Sequence, residues 1–224
     1  MKTILLTGLL GGAALLAQGQ TQTTTFPSTL VPVNVSATNG VAGQQSSVLV
    51  SGLSDLRIQD ITVDVNLADG WNGSLYMWLV DPQNNLTVLL NRIGYGAGGL
   101  YDVAGDWGGG INVTFSDGVA MNVHDAANGG ILTGTYQPDG RNVSPLTPGN
   151  LLYSTPTTSD LSALIGQDPA LANGTWTLFV ADVVSGTPDA NLVSWSITIT
   201  TIPEPATLSL VALGLGGLLL ARRR

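Results

Sequence analysis

The sequence predicts an all-β chain: a jelly-roll-like antiparallel β-sandwich, flanked by an N-terminal signal helix and a C-terminal transmembrane helix. Three observations carry this. Short apolar/polar alternations recur between turns of Gly, Asn and Asp. Gly makes up 29 of the 224 residues and Thr and Ser are abundant, a composition poor in helix formers. The long unbroken apolar runs lie at the two chain ends.

Residues 1–19 read as a secretory signal. Lys2 supplies the positive start, Ile4 to Ala17 the apolar run, and Ala17-Gln18-Gly19 the small residues for cleavage before Gln20. A buried helix is the competing reading, but the run stops at a polar Gln/Thr stretch instead of continuing amphipathically. Residues 20–29 are polar and aperiodic and are expected to be a linker. The domain is expected over 30–202. In Arg57 to Leu67, Ile61, Val63, Val65 and Leu67 alternate with Thr62, Asp64 and Asn66, the pattern of a half-buried strand. Leu75 to Val80 and Leu86 to Leu90 are further strands, joined by the turn residues Asp81-Pro82-Gln83-Asn84-Asn85. Trp176, Leu178 and Val180 mark another, and Trp195, Ile197 and Ile199 the closing one. The expected core is Ile61, Val63, Val65, Leu75, Trp176, Leu178, Val180, Trp195, Ile197 and Ile199, on facing sheets. Gly94 to Gly110, with eight glycines, and Gln137 to Asp160 read as long loops. Pro203 and Pro205 lack a backbone N–H and are expected to end the closing strand after Thr200, leaving an extended, exposed segment.

Composition removes several functions. There is no Cys, hence no disulfide, zinc-thiolate site or thiol nucleophile, and His124 is the single histidine. Between residues 20 and 202, three Arg face fourteen Asp, a charge of −11 with His124 neutral. Such a surface repels phosphate backbones, so nucleic acid is not an expected partner.

The C-terminus is the most explicit segment. Pro203-Glu204-Pro205 precedes a sixteen-residue apolar run, Ala206 to Ala221, and Arg222-Arg223-Arg224 closes the chain. The run is slightly short for a bilayer span of about 20 residues, and the arginines would stay cytoplasmic. The three parts in this order resemble the PEP-CTERM sorting signal of Gram-negative bacteria. The resemblance implies processing by an exosortase, a membrane-held precursor, and a mature form at the cell surface or outside it. An ordinary membrane anchor is the plainer alternative.

A second resemblance covers about 45–201. Asn173-Gly174-Thr175-Trp176-Thr177-Leu178, Ala181-Asp182, Gly186, Leu192 and Trp195-Ser196-Ile197 resemble the closing half of the P/Homo B domain of subtilisin-like proprotein convertases. Gly134-Thr135-Tyr136-Gln137-Pro138 and Leu161 to Gly166 are similar to its middle segments, and Leu75 to Pro82 to one of its paired strands. Gly73-Ser74-Leu75 departs from the family's G-D-L, and the Gly-rich middle loop is longer. The resemblance implies a jelly-roll-like sandwich and a family label of serine-type endopeptidase, because the domain normally follows a protease.

No catalytic residues are expected. A Ser-His-Asp triad would need His124, but the chain holds no Gly-x-Ser-x-Gly elbow and no Gly-Thr-Ser segment. His124 beside Asp125 reads as a solvated turn residue. Calcium is the better-motivated ligand, because it takes six to eight oxygens from Asp, Asn and carbonyls. Asp69 and Asn72 form one candidate set; Asp102, Asp106 and Asp117 form another. Turn chemistry explains the same residues without a metal. Trp71 and Trp107 lie in expected loops and are candidates for stacking on a sugar, whereas Trp78, Trp176 and Trp195 read as core. The function expected is a non-catalytic interaction module of the cell surface or extracellular polymeric matrix, with polysaccharide or envelope proteins as partners. The alternatives are a carbohydrate-binding module or an accessory P domain of subtilisin-like proteolysis.

Overall fold

The computed structural model describes residues 21–29, 32–54, 56–94, 109–126, 130–147, 157 and 161–203. The expected signal peptide, the helix at 206–221, and Asp102, Asp106, Trp107, Glu204, Pro205 and Arg222 to Arg224 lie outside them.

The described residues form ten strands: β1 (Gln22–Pro27), β2 (Val33–Val35), β3 (Gly43–Val50), β4 (Leu56–Asp69), β5 (Leu75–Val80), β6 (Leu86–Asn91), β7 (Gly110–Phe115), β8 (Leu132–Tyr136), β9 (Gly174–Asp182) and β10 (Ala190–Pro203). They build a two-sheet sandwich. The six-stranded sheet runs β1-β10-β4-β7-β8, with β2 pairing β10, and the four-stranded sheet runs β3-β9-β5-β6. The long strands β4 and β10 pair antiparallel along almost their whole length, so the domain closes on its last strand.

The alternation in the sequence sets the register. Ile61, Val63, Val65 and Leu67 are buried, while Thr62, Asp64 and Asn66 are half-buried on the opposite face. All ten expected core residues are buried, six on β4 and β10 of one sheet and four on β5 and β9 of the other. Both indoles buried among the described residues find an acceptor. Trp195 donates Nε1–H to Ser46 Oγ at 2.7 Å, and Trp176 donates to the Ala172 carbonyl at 2.9 Å. Burying an indole without such a partner would leave a polar N–H unsatisfied. The Asp81 turn behaves as its composition dictates: Asp81 Oδ1 accepts from the backbone N–H groups of Gln83 at 2.8 Å and Asn85 at 2.9 Å.

Four expectations are corrected. Residues 20–29 are not a linker: Gln22–Pro27 form β1, antiparallel to β10 from Gln22↔Thr201 to Pro27↔Ser196. The strand escapes a hydrophobic-pattern reading because its exposed face is Thr. Thr23 and Thr25 hydrogen-bond the hydroxyls of Thr200 and Thr198 at 3.1 and 2.9 Å, and Phe26 alone packs on the core. The closing strand does not stop at Thr200. It passes an irregularity between Thr200 and Thr201 and ends at Pro203, opposite Leu56. A proline in the terminal position forfeits at most one ladder bond. The sheets are not wholly antiparallel, because β7 and β8 pair in parallel, Ile111↔Leu132 to Phe115↔Tyr136. The segment between them returns the chain to the starting end, as a parallel pair requires. Trp78 is not in the inter-sheet core. It stacks on Phe179 at 4.8 Å on the outward face of the four-stranded sheet, within a second cluster with Tyr76, Val88, Ala181 and Val183.

Candidate functional site

The residues between β7 and β8, and those after β8, converge on one end of β6. A short 3₁₀ turn, Val123–Asp125, is capped by Asn122, whose side-chain oxygen accepts from His124 N–H at 2.9 Å. Beyond β8, Asp139 N–H donates to the Leu89 carbonyl at 3.1 Å and Gly140 N–H to Val88 at 2.9 Å. This segment therefore lies along β6, on the edge of the four-stranded sheet that β5 leaves open.

Asp139 is the centre of this junction. Its Oδ2 lies 2.7 Å from His124 Nδ1 and accepts the Asn91 backbone N–H at 3.3 Å. Its Oδ1 accepts from the Arg141 backbone at 3.2 Å and from Arg141 Nη1 at 3.1 Å. Asn91 Nδ2 donates to the carbonyls of Arg141 and Val143, both at 3.0 Å. Asn122 Nδ2 donates to the Pro138 carbonyl at 2.7 Å. His124, Asp139 and Asn91 are fully buried, and Arg141 is nearly so. His124 is thus not the solvated turn residue expected; its acid partner is fifteen residues downstream, not the adjacent Asp125. The His–Asp contact has the geometry of half a catalytic triad. The ring, however, is sealed from solvent, so a substrate carbonyl has no approach to it. What the arrangement achieves is a neutralised, hydrogen-bonded clamp between two loops and β6. The carboxylate also acts at a distance: Tyr76 has its phenol pKa raised, first by burial and second by the charge of Asp139.

Of the calcium candidates, Asp69, Asn72 and Asp117 are among the described residues. Asp69 and Gly70 both take the left-handed conformation, with φ of 60° and 74°, which makes them a turn. Asp69 is exposed and accepts from Asn191 Nδ2 at 3.2 Å, whereas Asn72 is fully buried and donates to the Gly130 carbonyl at 3.4 Å. Asp117 follows the far end of β7, whose first residue pairs Ala68 next to Asp69. Asp69 and Asp117 are therefore separated by about 20 Å of strand, at roughly 3.3 Å per residue. Among the described residues, no three His, Cys, Asp or Glu side chains gather to hold a metal ion. Asp69 and Asn72 as placed, one exposed and one buried, do not join in a calcium site, while the partners expected for Asp117, Asp102 and Asp106, lie outside the described residues. Trp71 is half-buried, and its carbonyl accepts from Ser74 Oγ at 2.8 Å at the start of a short 3₁₀ turn.

Asp182, at the end of β9, entered the sequence reading only within the family resemblance and not as a site residue. It is fully buried, and its carboxyl pKa is raised, chiefly by burial, with Asp189 adding to the rise. Hydrogen bonds from Ser74, Val184 N–H and Thr187 oppose that rise. A carboxylate directly after the apolar run Leu178 to Ala181 was the available signal.

The fold and tail together define the class: a β-sandwich protein bearing a C-terminal sorting signal. Residues 201–224 match the model of the PEP-CTERM protein-sorting motif. The motif indicates an exosortase-sorted, exported protein with a membrane-anchored precursor. Among the described residues, no helix is long and apolar enough to cross a membrane. No curated protein matches the chain. The solved structures to which it is similar include the serine protease of Aeromonas sobria in complex with its chaperone ORF2. Identity there is 15%, the match covers 82% of this chain and 27% of that one, and the TM-score is 0.41. The protease alone gives 15% identity, 81% and 27% coverage, and a TM-score of 0.39. The chain thus spans about a quarter of the length of these proteins.

Proposed function

We propose that this protein is a non-catalytic interaction module, exported, released from its membrane-held precursor by an exosortase, and retained at the cell surface or in the extracellular polymeric matrix. The observation that carries it is the PEP-CTERM motif joined directly to the last strand of a β-sandwich. Two features support the non-catalytic reading. The one histidine is locked in a buried clamp, and the sequence holds no Gly-x-Ser-x-Gly elbow. The P/Homo B-like motifs support descent from a domain that accompanies proteases, here working as a binding unit.

Fractionation of cells that make the full chain tests the reading. The mature protein should lie in the surface and matrix fractions and lack peptides from Leu208 to Arg224. Retention of those peptides in a cell with a working exosortase would leave an ordinary anchor. Casein hydrolysis by the purified protein, abolished in His124→Ala, would overturn the non-catalytic part.

A further inference from the structure

We infer that the outward face of the six-stranded sheet binds a neutral polysaccharide, one sugar unit seating in a groove floored by Asp64, Asn66 and Ser196. This deepens the matrix-module reading and rests on it.

The groove follows from strand geometry. Two strands flank the outer edge of β10: β1 covers Ser196 to Thr201, and β2 covers Ala190 to Leu192. Between them β10 carries an irregularity, from Leu192 to Ser194, where neither strand pairs with it. The result is a depression of about 240 Å³ crossing β1, β10, β4 and β7, with Pro27 and Ser28 at one end and Asn112 at the other. That volume suits one pyranose ring and is smaller than a typical drug-sized pocket.

The chemistry of its lining selects the ligand. Ser194, Asn66 and Asn112 occupy one row across three strands, and Ser196, Asp64 and Thr114 the next. Thr114 donates its hydroxyl hydrogen to Asp64 Oδ1, and Ser196 donates to Oδ2 at 3.2 Å. Both hydroxyl protons are therefore turned toward the carboxylate, and the oxygen lone pairs are left as acceptors. Among the described residues, the side chains of Asn66 and Asn112 have no hydrogen-bond partner, so each offers two N–H donors and a carbonyl. Paired donors and acceptors, fixed on rigid strands, match vicinal sugar hydroxyls, which both donate and accept. One carboxylate is too few for a divalent cation, which needs six or more oxygens. The same carboxylate, on a chain span of charge −11, repels phosphate and uronate groups. A neutral polyol is what remains. One small subsite gives weak affinity by itself, so retention relies on the repeating units of a polymer.

The test is native affinity electrophoresis of the full chain in detergent, in gels containing dextran, xyloglucan, galactomannan or alginate. At least one neutral polymer should retard the protein, and alginate should not. Asn66→Ala with Asn112→Ala should weaken retardation about tenfold or more for two lost hydrogen bonds. Ser194→Trp, at an exposed position, fills the groove without removing those amides and should have the same effect, while Trp71→Ala should have none. Melting curves of all variants should match the parent. The inference falls if no neutral polymer retards the protein, if alginate retards it equally, or if well-folded groove variants migrate as the parent does. Because matrix fractionation is measured separately, matrix retention with failed groove variants would sink the groove and spare the broader reading.

Discussion

Asp139→Asn isolates the charge at the centre of the buried clamp. The substitution keeps the shape of the side chain and one carbonyl acceptor, but it removes the carboxylate that pairs with Arg141, a residue 4% exposed, at 3.1 Å. Removing one member of a buried ion pair costs about 3–5 kcal/mol. For a domain of this size, each kcal/mol moves Tm by about 2–4 °C, so the expected fall is about 6–20 °C. Circular dichroism at pH 7 measures it. A second substitution separates electrostatics from lost packing: Arg141→Met in the Asp139→Asn background removes the stranded charge and should recover part of the loss. Tyr76 offers an independent readout. Asp139 helps to raise its pKa, so the phenol should ionise at lower pH in Asp139→Asn than in the parent. An Asp139→Asn melt within 2 °C of the parent, or a double variant no more stable than the single one, would refute the clamp argument.

Asp182 has a raised folded pKa, so the folded state binds its proton more tightly than the unfolded chain, and stability is lost as pH rises through the folded value. Asp182→Asn should therefore raise Tm at pH 7, with the gain shrinking as pH falls toward 4; a lower Tm at pH 7 would count against it. Trp195→Ala empties the core and strands the Ser46 hydroxyl, and a loss of about 3–5 kcal/mol in urea unfolding is expected. Asp69→Ala should leave any calcium response of the melt unchanged, because Asp69 and Asn72 do not converge; a Tm rise in millimolar calcium that vanishes in this variant would restore the site. Cysteines at Arg57 and Ile202, partners at the end of β4 and β10, should form a bond in the oxidised exported chain. If the strand end must open for processing, the oxidised precursor accumulates and the reduced one matures; equal maturation would show that the exosortase reads the motif with the strand still paired.

The core was legible because its strands alternate in the simplest way. Val63 and Val65, or Ile197 and Ile199, bury every second side chain against a facing sheet, and the period alone fixes which face is inward. β5 obeys no such rule. Its residues Leu75, Tyr76 and Met77 are all buried because both faces of the four-stranded sheet carry apolar neighbours, so Trp78 could not be assigned to a layer from its position. β1 was invisible for the opposite reason: Thr–Thr pairing across strands leaves no hydrophobic contrast to read.

The clamp and the groove were illegible for a different physical reason. His124 and Asp139 lie fifteen residues apart, on either side of β8, and they meet only because β7 and β8 run parallel and the chain then turns back along β6. Asp64 and Asn66 carried an outward-facing pattern, yet no spacing in the chain shows that they align with Ser194, Ser196 and Asn112 in two rows across three strands. The sorting signal is the reverse case. Its residues are contiguous and therefore readable, but their relation to the fold is not. The matched motif begins at Thr201, which is 2% exposed and pairs Gln22 on one side and Ile58 on the other. The signal thus starts inside the sandwich, with no spacer between strand and motif. A processing enzyme that needs extended backbone at Pro203 must either work flush against the folded domain or draw the last pairs of β10 away from β4.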